Sequence, residues 1–172
     1  MNAHAPALIS QPVCAPLTPA ALFLVVNIAP GEAAETAVRE LCGDLSSLLR
    51  GVGFRDLQGE LSCVMGFGSE AWDRLFGAPR PKNLHPFREI NGVHRAVSTP
   101  GDILLHIRAM RPDLCFELAM HVMDRLGEAV TTEDEVHGFK FFDNRDLLGF
   151  VDGTENPVPQ VAGAAALVGD ED

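Results

Sequence analysis

The segment Asp102–Met110, DILLHIRAM, is followed after Arg111 by PDLCFELAMHVMDRLG, residues 112–127. In the first part every second residue is large and apolar, at Ile103, Leu105 and Ile107, which predicts a strand with one buried face. The second part starts with proline and carries an apolar residue at every fourth position, at Leu114, Leu118, Val122 and Leu126. This spacing predicts an amphipathic helix that packs on the preceding strand.

The same order of strand and helix occurs earlier in the chain. The segment AALFLVVNIA predicts a strand over 20–29, and helical periodicity predicts a helix over 32–50 with Gly51 as the residue after it. The other predicted elements are a strand over 61–67, a short helix with Ser69 as N-cap and its end near Gly77, a connection over 78–101, and a last strand over 135–142. The order β, α, β, short α, β, α, β predicts an α+β fold of the ferredoxin-like type, a split βαβ with helices on one face of an antiparallel sheet.

Composition limits the classes of function. The 172 residues carry a formal net charge of −11 and a pI near 4.8, which disfavours nucleic acid and anionic lipid as partners. The longest apolar run, Ala20–Val26, is too short to span a membrane, and the first 22 residues contain no Lys or Arg. The four cysteines form no CxxC pair, which argues against a zinc framework. We therefore predict a cytoplasmic protein with reduced thiols.

Common catalytic and metal motifs are absent from the sequence. The acidic residues Asp143, Asp146, Asp152 and Glu155 do not match a calcium loop, because positions 3 and 5, counted with Asp143 as position 1, are Arg145 and Leu147. No two of the six histidines have HExxH spacing, and His106 and His121 lie within predicted secondary structure. We therefore predict no metal ligands in this chain.

The stretch GFVDGTENP, residues 149–157, is the densest polar motif. It fits an Asp-Gly turn in which a carboxylate caps the backbone. It also fits a ligand loop, because Gly149 and Gly153 permit a close approach of the backbone to a bound group. In that case the amides of 153–155 would face the ligand, and Asp152 would point into the same pocket. The motif alone leaves both interpretations open.

The longer stretch HGFKFFDNRDLLGFVDGTENP, residues 137–157, closely resembles the signature of the dye-decolourising peroxidases, haem enzymes with a GxxDG motif. GDILLHIRA, residues 101–109, and the helix after it also resemble that family. The resemblance covers about residues 20–172 and is greatest to the cytosolic bacterial branch. It implies that this chain is the first half of a two-domain peroxidase of the dimeric α+β barrel type.

The resemblance also implies roles for individual residues. Asp152 matches the distal acid, which would take a proton from hydrogen peroxide and return it to the leaving oxygen. An Asp carboxyl of ordinary pKa, about 4, is ionised and able to do this above that pH. Gly153, Thr154 and Glu155 match the segment that lines haem b, the expected cofactor. Hydrogen peroxide and small aromatic electron donors are the expected substrates.

In the family the axial histidine and the distal arginine lie in a second domain, beyond the GxxDG loop. None of the six histidines here matches that ligand, so we expect this chain to be an incomplete peroxidase. The predicted organisation is a proline-rich arm at 1–19, a ferredoxin-like domain at 20–146, and the haem-lining loop with a truncated start of the second domain at 147–172. The alternatives are a non-enzymatic ferredoxin-like binding or assembly module, and one half of a split peroxidase completed by a second copy or a separate chain.

Overall fold

The computed structural model describes residues 11–151 and 153–169. Its elements, in chain order, are β1 Ala20–Ile28, α1 Glu32–Gly53, β2 Ser62–Phe67, α2 Ser69–Phe76, β3 Ile90–Asn91, β4 Arg95–Ala96, β5 Ile103–Ala109, α3 Pro112–Leu126, β6 Val130–Phe139 and α4 Pro159–Ala166. No helix in these two ranges has the length and apolar character needed to cross a membrane.

Four strands form one antiparallel sheet in the order β2-β5-β1-β6. β1 and β2 run in the same direction on either side of β5, and α1 connects them. β5 and β6 in turn run in the same direction on either side of β1, and α3 connects them. These two interleaved units are the split βαβ arrangement. The predicted ferredoxin-like fold is therefore confirmed.

The alternation of side chains along the strands decides which face of the sheet is buried. On β1, Leu22, Leu24 and Val26 are at most 2% exposed, whereas Phe23 between them is 36% exposed. The buried face packs against α1 and α3, whose central residues Leu41 and Leu118 are fully buried. Each such leucine contributes about 1.5–3 kcal/mol to folding through its removal from water. The core therefore lies between one face of the sheet and the two long helices.

The last strand begins earlier than predicted, and the predicted range of 135–142 is wrong. β6 begins at Val130, which lies opposite Ile28, and it ends at Phe139, which lies opposite Ala20. The sequence pattern did not indicate the start of this strand because the segment Glu133–Glu135 is acidic. Because β6 is an edge strand with mostly exposed side chains, it accommodates these charges without burying them.

Helix α1 does not end before Gly51 as predicted but continues to Gly53. The cause is Val52, which is 4% exposed and packs in the core. Its burial offsets the cost of a helical glycine, about 1 kcal/mol relative to alanine. Tertiary packing thus extends the helix past the expected stop.

The predicted N-cap of α2 is wrong by one residue, because Gly68 is the cap and Ser69 begins the helix. The backbone N–H of Gly68 donates to the Asp102 carbonyl at 2.8 Å. A Cβ at position 68 would lie 2.6 Å from the Gly101 carbonyl oxygen, so only glycine fits there. The helix ends at the left-handed Gly77, as predicted.

The connection over 78–101 contains a small hairpin that the sequence did not predict. Strands β3 and β4 pair through Ile90 with Ala96 and Asn91 with Arg95. The Arg95 guanidinium donates two hydrogen bonds to Glu89, at 2.8 and 2.7 Å. Since all four strand residues are exposed, local hydrogen bonds and this ion pair hold the hairpin instead of core packing. Helix α4, which has no buried residue, was also not predicted.

Arg74 of α2 joins three elements at one end of the sheet. Its guanidinium donates to Glu35 of α1 at 3.1 Å and to the Ala29 carbonyl after β1 at 3.1 Å. It also lies 3.5 Å from the carboxylate of Asp102, which accepts the Ile28 N–H at 2.8 Å. The hydrogen bond from Arg74 is the main cause that lowers the pKa of Glu35. This network fixes α2 against the ends of β1 and β5.

The described part of the N-terminal arm, residues 11–19, contains no helix or strand and covers one edge of the sheet. The side-chain amide of Gln11 accepts the Met65 N–H at 2.7 Å and donates to the Met65 carbonyl at 2.8 Å. The backbone N–H and carbonyl of Met65, in the edge strand β2, are thereby satisfied without another strand. Residues 1–10 of the predicted arm lie outside the described residues.

All four cysteines are free thiols. Cys63 and Cys115 are buried in the core, and burial raises their pKa to about 12 and about 11. Both thiols therefore stay protonated and pack as small apolar side chains. Cys14 and Cys42 are exposed.

Adjacent leucines on β5 provide a test of the one-sided core. Leu105 is fully buried, whereas Leu104 is 42% exposed on the opposite face. We predict that Leu105→Ala lowers the free energy of unfolding by about 3 kcal/mol, because it leaves a core cavity. Leu104→Ala should lower it by no more than about 1 kcal/mol. Urea unfolding of the 172-residue chain measures both values, and equal losses would show that the two faces are equally buried.

Candidate functional site

The candidate site is the segment 140–151, called here the β6 loop, which leaves the sheet beside the start of β1. It begins where the Lys140 N–H donates to the Pro19 carbonyl at 2.7 Å. Phe142 and Asn144 have positive φ angles of 44° and 65°, which reverse the chain within a few residues. The loop is therefore a compact turn attached to the end of β6.

Asp146 organises this loop. Its carboxylate accepts the backbone N–H groups of Leu148 and Phe150, both at 2.9 Å. Its own N–H donates to the Phe150 carbonyl, and its carbonyl accepts from Gly149, both at 3.0 Å. Gly149 has a φ of +94°, a backbone conformation that favours glycine. The sequence treated Asp146 as part of an acidic cluster, and the structure instead shows it as the centre of a hydrogen-bonded turn.

Arg145 fastens the other side of the β6 loop. Its guanidinium donates to the Gly149 carbonyl at 3.0 Å and pairs with Asp143 at 2.9 Å. Its backbone forms an antiparallel bridge with Val151. Together with Asp146, these contacts fix the chain immediately before position 152.

The β6 loop presents an unusually apolar surface. Its large side chains are held outward by the turn, and five of them are more than half exposed, namely Phe142, Leu147, Leu148, Phe150 and Val151. A cluster of apolar side chains on a rigid turn marks a contact surface rather than a solvated loop. The arrangement suits a flat apolar group or a second protein surface.

The residues predicted to act on a ligand lie directly after this loop. Asp152 lies outside the described residues. Gly153 has a φ of +74°, and a Cβ there would lie 2.8 Å from the Asn156 side-chain nitrogen, so the position requires glycine. The Gly153 carbonyl accepts the Asn156 N–H at 3.1 Å, while Thr154 and Glu155 are exposed. The structure brings Gly153, Thr154 and Glu155 together in one turn, and their contact with a cofactor stays a prediction.

The side of the sheet opposite the helices, called here the uncovered face, is a second apolar surface. It is formed by alternate strand residues, Phe23, Val25, Leu104, His106 and Val136. Phe23 and His106 stack with their ring centroids 4.3 Å apart. Burial, followed by the charge of Arg108, lowers the pKa of His106, so the neutral imidazole is favoured. His106 lies on the face opposite Ile103, Leu105 and Ile107, as the predicted alternation of this strand requires.

Arg108 closes one end of the uncovered face. It is 4% exposed and donates to the backbone carbonyls of Pro12 at 2.8 Å and Ala15 at 3.0 Å. Its Nε is buried without a hydrogen-bond partner. Arg108 therefore holds the N-terminal arm against the sheet. Backbone carbonyls, and not a carboxylate, accept the hydrogen bonds of its guanidinium.

A cavity of about 570 Å³ lies at the opposite end of the sheet, between the starts of α2 and β5. Its one guanidinium, that of Arg74, is already bonded to Glu35, Asp102 and the Ala29 carbonyl. Across residues 11–151 and 153–169, no three His, Cys, Asp or Glu side chains are grouped as metal ligands. The β6 loop and the uncovered face therefore remain the candidate functional surface.

Comparisons with known proteins show what this chain is similar to. The family model described as Dyp-type peroxidase, N-terminal, matches residues 10–140. Dye-decolorizing peroxidases of Mycobacterium tuberculosis and Rhodococcus erythropolis are each 56% identical, over 97% and 95% of this chain but only 50% and 48% of their own lengths. The chain thus spans about half the length of the curated relatives it matches.

Solved structures of DyP-type peroxidases are also similar to this chain. An encapsulated DyP-type peroxidase from Mycobacterium smegmatis is 56% identical with a TM-score of 0.89, over 94% of this chain and 52% of that one. DyPB from Rhodococcus jostii RHA1 is 50% identical with a TM-score of 0.91, over 94% and 52%. A variant of DyPB, solved in complex with heme, has a TM-score of 0.90.

The role of Asp146 can be tested by amide hydrogen exchange. We predict that Asp146→Ala accelerates exchange at Leu148 and Phe150 at least about tenfold, because each amide loses a charged acceptor worth about 1.5–3 kcal/mol. Asp143→Ala is the matched control, since it removes a nearby carboxylate that binds Arg145 and neither amide. Equal acceleration in the two variants would contradict a specific role of Asp146.

Proposed function

The chain belongs to the Dyp-type peroxidase family, and on this basis we propose that it forms the N-terminal part of a haem-dependent peroxidase. In this proposal the complete protein reduces hydrogen peroxide and oxidises small organic donors, including aromatic ones. The observation that carries the proposal is the hydrogen-bonded, apolar β6 loop, whose last three residues begin the GxxDG segment.

The residues present fit one side of a haem b. The exposed side chains of Leu148, Phe150 and Val151 are suited to contact with an apolar macrocycle, and Gly153, whose positive φ favours glycine, has no Cβ to keep a bound group away from its backbone. The β6 loop itself contains no histidine, so the axial ligand has to come from elsewhere. We propose that Gly153, Thr154 and Glu155 hold the cofactor mainly through their backbone.

When bound, the haem would supply the iron chemistry that cleaves the O–O bond of hydrogen peroxide. Asp152 would take a proton from one peroxide oxygen and return it to the oxygen that leaves. The hydrogen bonds around Asp146 and Arg145 would hold this carboxylate in place by fixing residues 149–151. The apolar side chains of the loop would exclude water from the same region.

We further propose that the uncovered face and the β6 loop are covered by the remainder of a longer peroxidase. The relatives are about twice as long as this chain, and Phe23, Leu104 and Val136 are each more than a third exposed. A second copy or a separately encoded half could cover the same surfaces. A non-enzymatic binding module would need neither haem nor Asp152, so the following experiment separates the two functions.

The cytoplasmic location and the lack of a nucleic-acid partner stay predictions from composition.

The role of Asp152 can be tested in a fusion of this chain with the remaining half of the Rhodococcus erythropolis relative. We predict that Asp152→Asn slows the reaction of the haem-loaded fusion with hydrogen peroxide at least about 100-fold, as expected for the loss of a general acid–base group. Stopped-flow absorbance at the Soret band measures this rate.

Asp124→Asn provides the control, because Asp124 carries the same charge at an exposed position of α3 and lies outside the β6 loop and the GxxDG motif. It should change the rate by no more than about twofold. An unchanged rate in Asp152→Asn would remove this residue from the mechanism. A soluble, folded fusion that takes up no haem would favour the binding module.

A further inference from the structure

We propose that the outer edge of β6, together with the adjacent side of α3, binds an extended basic segment of another protein. We call this surface the β6–α3 groove, formed by Glu135, His137 and Phe139 on the strand and by Phe116 and Met120 on the helix. The proposal is independent of the peroxidase activity, because it involves neither the β6 loop nor the GxxDG segment.

The two edges of the sheet differ in how their backbone groups are satisfied. At β2, the side chain of Gln11 bonds both the N–H and the carbonyl of Met65 and occupies the position of a neighbouring strand. At β6, ten residues form an edge that has no backbone partner on its outer side among residues 11–151 and 153–169. An unpaired edge of this length can accept another strand.

The register of β6 identifies the groups available for pairing. The Lys140 N–H donates inward to the Pro19 carbonyl, and inward and outward groups alternate along an antiparallel strand. The N–H and carbonyl groups of Glu135, His137 and Phe139 therefore point outward. Their side chains lie on the helix side of the sheet, opposite Leu24, Leu22 and Ala20.

An apolar groove lies beside these groups. Its floor is formed by the buried Leu22 and Leu24, and its wall by Phe116 and Met120, which are 51% and 46% exposed on α3. A cavity of about 130 Å³ remains between them and Glu135. The groove can take one apolar side chain of an added strand, and methionine adapts to irregular shapes.

Charge determines which strand fits. The segment Glu133–Glu135 is acidic at three consecutive positions, and the whole chain has a net charge of −11. A second copy paired along this edge would bring two acidic segments together, which is unfavourable. On the helix side of this edge, a strand with lysine or arginine would instead meet the carboxylate of Glu135, which lies 2.6 Å from a ring nitrogen of His137. The charge thus disfavours self-pairing and favours a basic partner.

Binding can be measured with fluorescein-labelled heptapeptides that alternate lysine with valine. We expect the lysine–valine peptide to raise the fluorescence anisotropy on titration with the 172-residue chain. A matched peptide of glutamate and valine should bind at least about tenfold more weakly. Amide hydrogen exchange should slow at Glu135, His137 and Phe139 when the basic peptide is bound. Equal binding of both peptides, or protection elsewhere, would overturn the proposal.

Single variants separate this site from general attraction to an acidic surface. Glu135→Lys and Met120→Gln, both at exposed positions, should each weaken binding at least about fivefold. Glu40→Lys, on the exposed side of α1, produces the same net charge as Glu135→Lys and should change affinity less than about twofold. Circular dichroism checks that each variant is folded. Equal weakening by Glu40→Lys and Glu135→Lys would show non-specific binding.

Discussion

Helices α1 and α3 pack on the same face of the four-stranded sheet, so burial of apolar surface stabilises only one of its two faces. Leu22, Leu24 and Leu105 are within 2% of complete burial, while Phe23 and Leu104 on the reverse side remain more than a third exposed. An antiparallel sheet commonly has one face on the core and one solvated, polar face, so apolar residues on the second face are typical of a contact surface. The arm held by Arg108 and the outward apolar side chains of the β6 loop both lie outside this one-sided core.

The β6 loop combines rigidity with exposure. The charged groups of Asp146 and Arg145 form hydrogen bonds with backbone amides and carbonyls within the loop. The conformation of the loop therefore does not depend on a contact with the core. A loop stabilised in this way can present Phe142, Leu148 and Phe150 at a fixed place before their partner arrives. Such preorganisation lowers the entropic cost of binding a cofactor or of docking a second domain. Gly149 and Gly153, both with positive φ, allow the backbone itself to form part of the surface.

The periodicity of the sequence was sufficient to predict the ferredoxin-like order, because buried positions recur every second residue on β1 and β5 and every third or fourth on α1 and α3. It was insufficient where tertiary contacts override local preference. Val52 extends α1 past a glycine, and Gly68 replaces Ser69 as a cap because the Gly101 carbonyl lies too close for a side chain. The start of β6 was missed because an edge strand tolerates acids. In the site, the composition indicated an acidic loop, whereas the structure shows that the Asp146 carboxylate accepts hydrogen bonds from backbone amides. The role of Asp152 rests on family resemblance.

The central proposal is that the β6 loop and the GxxDG segment form one side of a haem pocket whose other side lies outside this chain. Titration of the purified 172-residue chain with haem, followed at the Soret band, tests it most directly. The account predicts no saturable one-to-one complex for the chain alone, and a stoichiometric complex once the chain is fused to the remaining half of a relative. Tight stoichiometric binding by the 172 residues alone would contradict it.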